Sequence, residues 1–252
     1  MAIKPTIFVK GPSGSGKDYS LRHLDPKTTV LLNIEDKPGP YKYPFPSARV
    51  KSINPKTKEK DEAYFVLNFT AMLKKCLENP ELRVIVLNSF TSFTERLYTE
   101  ASKVYSDYDV WSYYNKVITD VLRASKQTEN KYVVWTGLDD NIVGQNGIEA
   151  NHIAVQGKVW SGKVAKEFTI VLHTHVQESP NGVDYQFITN RIAGFTRSDI
   201  KSPPGLLPDR MPNDLRTVID LCDTIYTDEE ESIDLKEENL LSPIGESVGN
   251  AQ

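Results

Sequence analysis

Residues 10–20 read KGPSGSGKDYS, a glycine-rich stretch that ends in a lysine and an aspartate. Gly11, Gly16 and Lys17 satisfy the spacing G-x-x-x-x-G-K, which differs from the G-x-G-x-x-G of a dinucleotide site. Glycines at this spacing let the backbone curl so that successive N–H groups point at phosphate oxygens, and the lysine reaches the outer phosphates. The sequence therefore predicts a nucleotide-phosphate loop, formed by Gly11, Pro12, Ser13, Gly14, Ser15, Gly16, Lys17, Asp18 and Tyr19.

Two positions near this loop depart from the usual magnesium-binding residues. Asp18 stands where a hydroxyl residue is usual, and Asn88, at the end of VIVLN, stands where an acid is usual. Because Mg²⁺ prefers oxygen ligands, we predict a swap in which Asp18 supplies the charge and Asn88 the neutral oxygen. The alternative is a loop that binds nucleotide weakly or without hydrolysis, since Asp18 without a metal would repel the phosphates by about 1–4 kcal/mol.

The elements that must position these residues alternate between strands and helices. Short apolar runs predict strands over 6–10, 28–35, 83–89, 131–138, 168–176 and 183–192. Apolar residues at intervals of three or four predict helices across 65–76, 93–104 and 111–122, and a further helix is expected directly after the loop, with its positive end toward the phosphates. This pattern predicts a P-loop α/β fold, a mostly parallel central sheet flanked by helices, with antiparallel strands toward the end.

Composition narrows the class of protein. Hydrophobic residues make up 39% of the chain and charged residues 25%, values typical of a soluble globular protein. No apolar run approaches the roughly 18 residues of a membrane span and no signal-peptide pattern is seen, so no membrane partner is expected. Cys76 and Cys222 each lie among apolar neighbours and are predicted to be buried reduced thiols, which suits the cytoplasm.

Charge divides the chain into two predicted parts, a core over 1–227 and a tail over 228–252. The tail holds eight acidic residues and one lysine, a net charge of −7, while the whole chain carries −4, which leaves +3 on the core. A mildly basic core is compatible with nucleic-acid binding but does not require it. The tail is predicted to be disordered, either simply solvated or competing with DNA for basic surface.

Several longer sequence segments resemble those of a known protein family. VIVLNSFTSF resembles the second nucleotide motif of the RecA family, and VLLNIEDKPGPY is similar to its next strand. YDVWSYYNKVI, YVVWTGLDD, GKVWSGKVAKEFTIVLHT and KSPPGLLPDRMPNDLRTVID resemble phage-encoded RecA-core ATPases associated with single-strand annealing and recombination, over roughly residues 5–226. The resemblance implies ATP and Mg²⁺ as cofactors, and as partners single-stranded DNA, a single-strand-binding protein and further copies of the chain in a ring or filament. It also implies the cytoplasm of a phage host.

The resemblance also suggests roles for two charged residues. Glu35 matches the glutamate that activates the attacking water, and a carboxylate at that strand end could accept a proton there. Arg191, in TNRIAG, lies in a segment similar to the one that sends a cation into the neighbouring subunit's nucleotide site, with Arg197 as an alternative. The family's polar sensor is left unassigned among Thr136, Asp139 and Asp140.

The stretch between Asp140 and Gly162 has little periodic pattern, and loops of such length are usually functional or mobile. In RecA-like proteins this stretch approaches single-stranded DNA, so Lys158 and Lys163 are predicted phosphate contacts and Trp160 a ring that stacks on a base. The alternative has Trp160 packed on the domain. The proline-rich segment 35–49 is expected either to cover the nucleotide, to meet the next subunit, or to pack as a surface loop.

Three functions remain open. The first is an ATP-hydrolysing protein of DNA recombination or annealing, and the second a nucleotide-gated DNA-binding module without efficient hydrolysis. The third is a small-molecule kinase, which the sparse arginines between 80 and 130 argue against.

Overall fold

The computed structural model describes residues 3–126, 128–143, 149–180 and 182–226. The predicted acidic tail, 228–252, lies outside these residues. The strands are β1 (Ile7–Lys10), β2 (Thr29–Asn33), β3 (Ser47–Arg49), β4 (Val84–Asn88), β5 (Tyr132–Gly137), β6 (Asp139–Val143), β7 (Glu149–Ile153), β8 (Ile170–Ser179), β9 (Gly182–Ile188) and β10 (Arg210–Pro212). The helices are α1 (Phe65–Glu78), α2 (Phe90–Val104), α3 (Asp107–Lys126) and α4 (Leu215–Asp223).

The central sheet of the described chain has eight strands in the order β10-β9-β8-β1-β5-β4-β2-β3. Pairing is parallel from β8 through β1, β5, β4 and β2 to β3, and antiparallel between β8, β9 and β10. The predicted mostly parallel sheet, its antiparallel end and all six predicted strands are confirmed. Because parallel neighbours end on the same edge, residues after β1, β2 and β4 meet at one edge of the sheet.

Alternating side chains of the central strands build a core on each face of the sheet. Phe8 of β1 packs with the apolar faces of α1, α2 and α3, which are the three predicted helices. Ile7 and Val9 point to the opposite face and pack with α4. Both cysteines are free thiols, Cys76 in the first core and Cys222 in the second, which confirms their prediction as buried and reduced. Among the described helices, none combines the length and the apolarity needed to cross a bilayer.

Two predictions about local structure are wrong. No α-helix follows the phosphate loop, since the only helical piece between Lys17 and Thr29 is a 3-10 turn over Tyr19–Leu21. The span is short and contains Pro26, whose missing N–H and clash with the preceding turn stop a longer helix. The stretch after Asp140 is also not a plain loop, because β6 and β7 pair there as an antiparallel hairpin.

Candidate functional site

The phosphate loop follows β1, which lies in the middle of the sheet between β8 and β5. Two of its glycines lie so close to neighbouring atoms that a side chain would clash. A Cβ on Gly11 would overlap with Thr174 Oγ1. A Cβ on Gly16, whose φ is +94°, would lie 2.6 Å from the Tyr185 ring. These two positions therefore admit only glycine without rearrangement of their neighbours.

Several backbone amides of this loop are free to bind a ligand. Within the described chain the amides of Gly14, Gly16 and Lys17 donate to no protein acceptor, whereas the Ser15 amide is bonded to Pro12 O at 3.3 Å. Ser15 is also held by its hydroxyl, which lies 2.5 Å from Thr174 Oγ1. The loop is thus anchored on one side and presents unpaired N–H donors on the other, the arrangement that binds phosphate oxygens.

Lys17 folds back over the loop. Its Nζ donates to Gly11 O at 2.8 Å and to Pro12 O at 2.7 Å. Burial lowers the pKa of Lys17, against the opposing charges of Asp18, Asp139 and Glu35. The ammonium group therefore rests on two neutral carbonyls, which a phosphate could replace with a charged acceptor.

Asp18 and Asn88 meet, as the swap requires. Asn88 Nδ2 donates to Asp18 Oδ1 at 3.1 Å, and the Thr136 hydroxyl donates to Asn88 Oδ1 at 2.6 Å. In this arrangement Asn88 turns its amide N–H₂ toward Asp18 and its oxygen toward Thr136. Its predicted role as an oxygen ligand would need a rotation of the amide, to which the Thr136 hydroxyl could respond by accepting instead.

Glu35 adds a second carboxylate to this corner. It lies two residues beyond β2 and pairs with Lys37 at 2.8 Å. Burial raises the pKa of Asp18, and the charge of Glu35 raises it further, while Lys17 and Tyr43 act in the opposite direction. Two carboxylates that disfavour each other's charge beside a phosphate loop suit a hard divalent cation, which takes oxygen ligands and keeps waters. The residues present therefore fit Mg²⁺ held by Asp18, although no group of three or more His, Cys, Asp or Glu among the described residues forms a metal site by itself.

The proline-rich segment 35–49 packs against the loop. The Tyr41 hydroxyl donates to Asp18 O at 2.7 Å, and the Tyr41, Tyr43 and Phe45 rings pack in series, with centroids 4.9 and 5.4 Å apart. Phe45 is buried in the second core. The proline-rich segment is thus hydrogen-bonded to Asp18, the residue that stands where a hydroxyl residue is usual.

The structure places the other predicted site residues apart from this corner. Arg191 lies exposed after β9; burial lowers the pKa of Lys10, and the charge of Arg191 adds a smaller effect in the same direction. Lys158 and Lys163 are exposed, but Trp160 is half-buried against the first core and its indole N–H is enclosed. A stacking role for Trp160 would therefore require the ring to leave this packing; the three DNA contacts stay predictions.

A buried ion pair behind the loop was not predicted. Lys10, the residue before Gly11, is fully buried, and its Nζ lies 2.5 Å from Asp199 Oδ1. The same nitrogen donates to Asn151 Oδ1 at 2.7 Å and to Ser198 Oγ at 2.8 Å. These contacts tie β7 of the hairpin directly to the start of the phosphate loop. The only signal in the sequence is a lysine at the end of an apolar strand.

The histidines of β8 border a pocket of about 290 Å³ beside the loop, which is lined by Pro12, Ser13, Gly14, Ser15, His173, Thr174, His175 and Val176. Burial lowers the pKa of His173 to about 4, although Asp139 lies 3.6 Å from its Nδ1 and opposes the shift. His173 is therefore neutral at physiological pH and leaves this pocket without a cation from its own wall.

The strand order and the position of the glycine-rich loop together define the fold class of this protein. The phosphate loop follows β1, the second nucleotide motif ends β4 one strand away, and β8-β1-β5-β4-β2 run parallel. This is the architecture of a P-loop α/β fold, a mostly parallel central sheet flanked by helices.

No protein-family model matches the chain, and no curated protein matches its sequence. A KaiC-like protein from Pyrococcus horikoshii overlaps it with a TM-score of 0.40 and 13% identity, over 73% of this chain and 77% of that one. The flagellar accessory protein FlaH from Methanocaldococcus jannaschii overlaps it with a TM-score of 0.37 and 12% identity, over 74% and 78%. Overlaps this loose carry no argument about activity, so the class rests on the strand order and the loop.

Proposed function

We propose that this chain binds ATP with Mg²⁺ on the loop Gly11–Lys17 and hydrolyses it while assembled on single-stranded DNA, in recombination or strand annealing. The observation that carries the nucleotide part is the set of unpaired amides at Gly14, Gly16 and Lys17 beside the Asp18 and Glu35 carboxylates. A donor surface with an adjoining acidic corner suits a triphosphate whose charge a divalent cation offsets.

Each residue of the site has a defined task in this proposal. The loop amides cradle the phosphates, and Lys17 leaves the carbonyls of Gly11 and Pro12 to bind the outer phosphate. Asp18 and Asn88 hold Mg²⁺, which when bound neutralises charge on the phosphates. Glu35 leaves Lys37 and accepts a proton from water at its carboxylate.

The DNA part rests on weaker support. Lys158 and Lys163 are exposed cations in the segment after β7, and Asn151 of β7 bonds to Lys10 before the loop. Phosphate contacts from these lysines would thus act next to an element joined to the nucleotide site. The exposed Arg191 is free of ion pairs within the described residues and is proposed to reach the nucleotide of a neighbouring subunit in a ring or filament. A single-strand-binding protein and a cytoplasmic location complete the proposal.

One observation favours a second candidate, a nucleotide-gated DNA-binding module without efficient hydrolysis. Asn88 presents an amide where hydrolysing enzymes carry an acid, and Glu35 is paired with Lys37 at 2.8 Å. Both features would weaken the chemical step while leaving the phosphate-binding amides intact.

The test measures ATP hydrolysis by the full chain with and without single-stranded DNA. Stimulation by DNA, lost in Lys17→Ala and Glu35→Gln but kept in Lys75→Ala on α1, is expected. ATP-dependent DNA binding without turnover selects the second candidate. Turnover only with an added nucleoside monophosphate selects a kinase, and no nucleotide binding at all contradicts every version.

Arg191→Ala tests the assembly separately. If Arg191 completes a neighbour's site, the specific ATPase rate of the wild type rises with protein concentration, and that of the variant stays low and flat. A wild-type rate strictly proportional to concentration would contradict the role of Arg191.

A further inference from the structure

The sheet determines in which direction a bound nucleotide would run; this inference rests on the proposed function. Asn88 and Glu35 lie at the ends of β4 and β2, on one side of β1, while β8 and β9 lie on the other side. In a P-loop site the lysine, here Lys17, and the metal-binding acid lie at the outer phosphates, whereas the loop amides contact the inner phosphates. The ribose and base must therefore extend away from Asn88 and Glu35, toward β9.

An aromatic pair lies at that position. Tyr19, the second residue after Lys17, is 45% exposed, and its ring centroid is 5.3 Å from that of Tyr185 on β9. The Arg22 guanidinium covers the Tyr19 ring at 3.9 Å from its centroid. Tyr185 in turn lies against Gly16 of the loop. The two rings are tilted by 45° to each other, and this aromatic pair, which begins where the loop amides end, offers an exposed Tyr19 face to a bound base.

A buried amide beside this stack has unused hydrogen-bonding capacity. Asn213 is 1% exposed, and within the described residues neither Nδ2 nor Oδ1 has a hydrogen-bond partner. Nδ2 lies 3.2 Å from the position of a Cβ on Gly16, and the Asn213 backbone bonds to Tyr185 O and to Arg22. Leaving a buried amide unpaired is costly, whereas an amide can pair with the N6 and N7 edge of adenine through both of its atoms.

We propose that Tyr19 and Tyr185 are the nucleobase platform of this site. The base stacks on the pair, with Arg22 moving off the Tyr19 ring, and the adjacent Asn213 amide pairs with an adenine edge. Stacking accepts any base because every base has a π face, so Asn213 supplies the preference for adenine.

The experiment compares ATP with inorganic tripolyphosphate, which has the phosphates and no base. Affinities of both, with Mg²⁺, are measured by calorimetry for the wild type and for Tyr19→Leu, Tyr185→Leu and Tyr185→Phe. Each leucine variant is expected to lose about tenfold or more in ATP affinity and to keep its tripolyphosphate affinity. Tyr185→Phe keeps the ring and is expected to bind ATP like the wild type. Tyr108→Leu, an 80%-exposed tyrosine of α3, is the matched control and should change neither affinity.

The outcomes separate this inference from the proposed function. A wild type that binds tripolyphosphate as tightly as ATP keeps the phosphate site and overturns the platform. Equal loss of both ligands in the leucine variants also overturns it, since the tyrosines would then only shape the loop. A wild type that binds neither ligand contradicts the proposed function itself. For Asn213, a preference for ATP over GTP that disappears in Asn213→Leu supports the assignment, and an unchanged ratio removes it.

Discussion

The proposed exchange of magnesium-binding roles between Asp18 and Asn88 leads to a prediction about paired substitutions. The two side chains lie 3.1 Å apart, Asn88 Nδ2 to Asp18 Oδ1, so both can face one ion. Asp18→Thr restores the usual hydroxyl but leaves two neutral ligands, and Asn88→Asp places two carboxylates side by side. Only the double variant Asp18→Thr with Asn88→Asp again has one charged and one neutral ligand. We therefore expect Asp18→Thr to lose magnesium-dependent ATP binding and the double variant to regain it.

The magnitude follows from the charge at position 18. Two unit charges about 4 Å apart repel by about 1 kcal/mol in water and by about 4 kcal/mol at an effective dielectric constant near 20. Because Asp18 is partly buried, its interaction with a phosphate falls between these two limits. A repulsion of about 2 kcal/mol corresponds to roughly 30-fold in affinity. In EDTA, Asp18→Thr should therefore bind ATP about 30-fold more tightly than the wild type.

Calorimetric titration with ATP, in Mg²⁺ and in EDTA, measures both effects. The ratio of the two affinities should be large in the wild type, small in Asp18→Thr and large again in the double variant. Asp120→Asn, which removes an exposed carboxylate of α3, should leave the ratio unchanged. Magnesium-independent ATP binding by the wild type, or a double variant that depends on Mg²⁺ no more than Asp18→Thr does, would refute the exchange.

Two further predictions concern stability, and both are measured as the free energy of unfolding in urea. Gly16→Ala places a Cβ 2.6 Å from the Tyr185 ring at φ +94°, whereas Gly14→Ala, at φ +78°, meets no atom within 4 Å. We expect Gly14→Ala to lower the free energy of unfolding by about 1 kcal/mol through backbone strain, and Gly16→Ala to lower it by about 1–3 kcal/mol more because of the clash. Equal losses in the two variants would contradict the contact between Gly16 and Tyr185. Asp223 accepts hydrogen bonds from Arg83, from Tyr132 Oη at 2.8 Å and from Lys4 at 3.3 Å. Burial acts to raise the pKa of Asp223, but these donors hold the pKa below its ordinary value. A carboxyl with a depressed pKa stabilises the fold above its unfolded pKa of about 3.9, and this stability is lost as the pH falls through the folded value. Asp223→Asn should therefore lower the free energy of unfolding by about 1.5–3 kcal/mol at pH 7 and by less toward pH 3. A loss independent of pH would exclude the charge of Asp223 as its source.

Local periodicity accounts for the parts of the fold that were predicted. The predicted strands of the central sheet, β1, β2, β4, β5, β8 and β9, are runs rich in apolar residues between breakers, and α1, α2 and α3 repeat apolar residues at helical spacing. Such patterns arise because each element must bury one face, and they are visible without knowledge of any partner. β6 and β7 escaped prediction for the same reason, since most of their side chains are exposed or half-exposed and show no apolar alternation.

The candidate site divides along the same line. The phosphate loop is a contiguous motif, so its residues could be predicted from the sequence directly. Lys10 pairs with Asp199, and Thr136 bonds to Asn88, across spans of chain that no local pattern connects. The absence of a helix after the loop depends on a short span ending near Pro26, which the motif itself does not encode.

The altered positions form one electrostatic unit rather than two independent losses. Asp18 brings a carboxylate into a corner that already holds Glu35, and Asn88 brings a neutral amide that donates to Asp18 at 3.1 Å. Had Asn88 kept the usual acid, three carboxylates would crowd this corner, and burying them without a cation would be strongly unfavourable. The neutral amide at position 88 therefore lowers the electrostatic cost of a carboxylate at position 18, since Asn88 donates a hydrogen bond to Asp18 instead of repelling it.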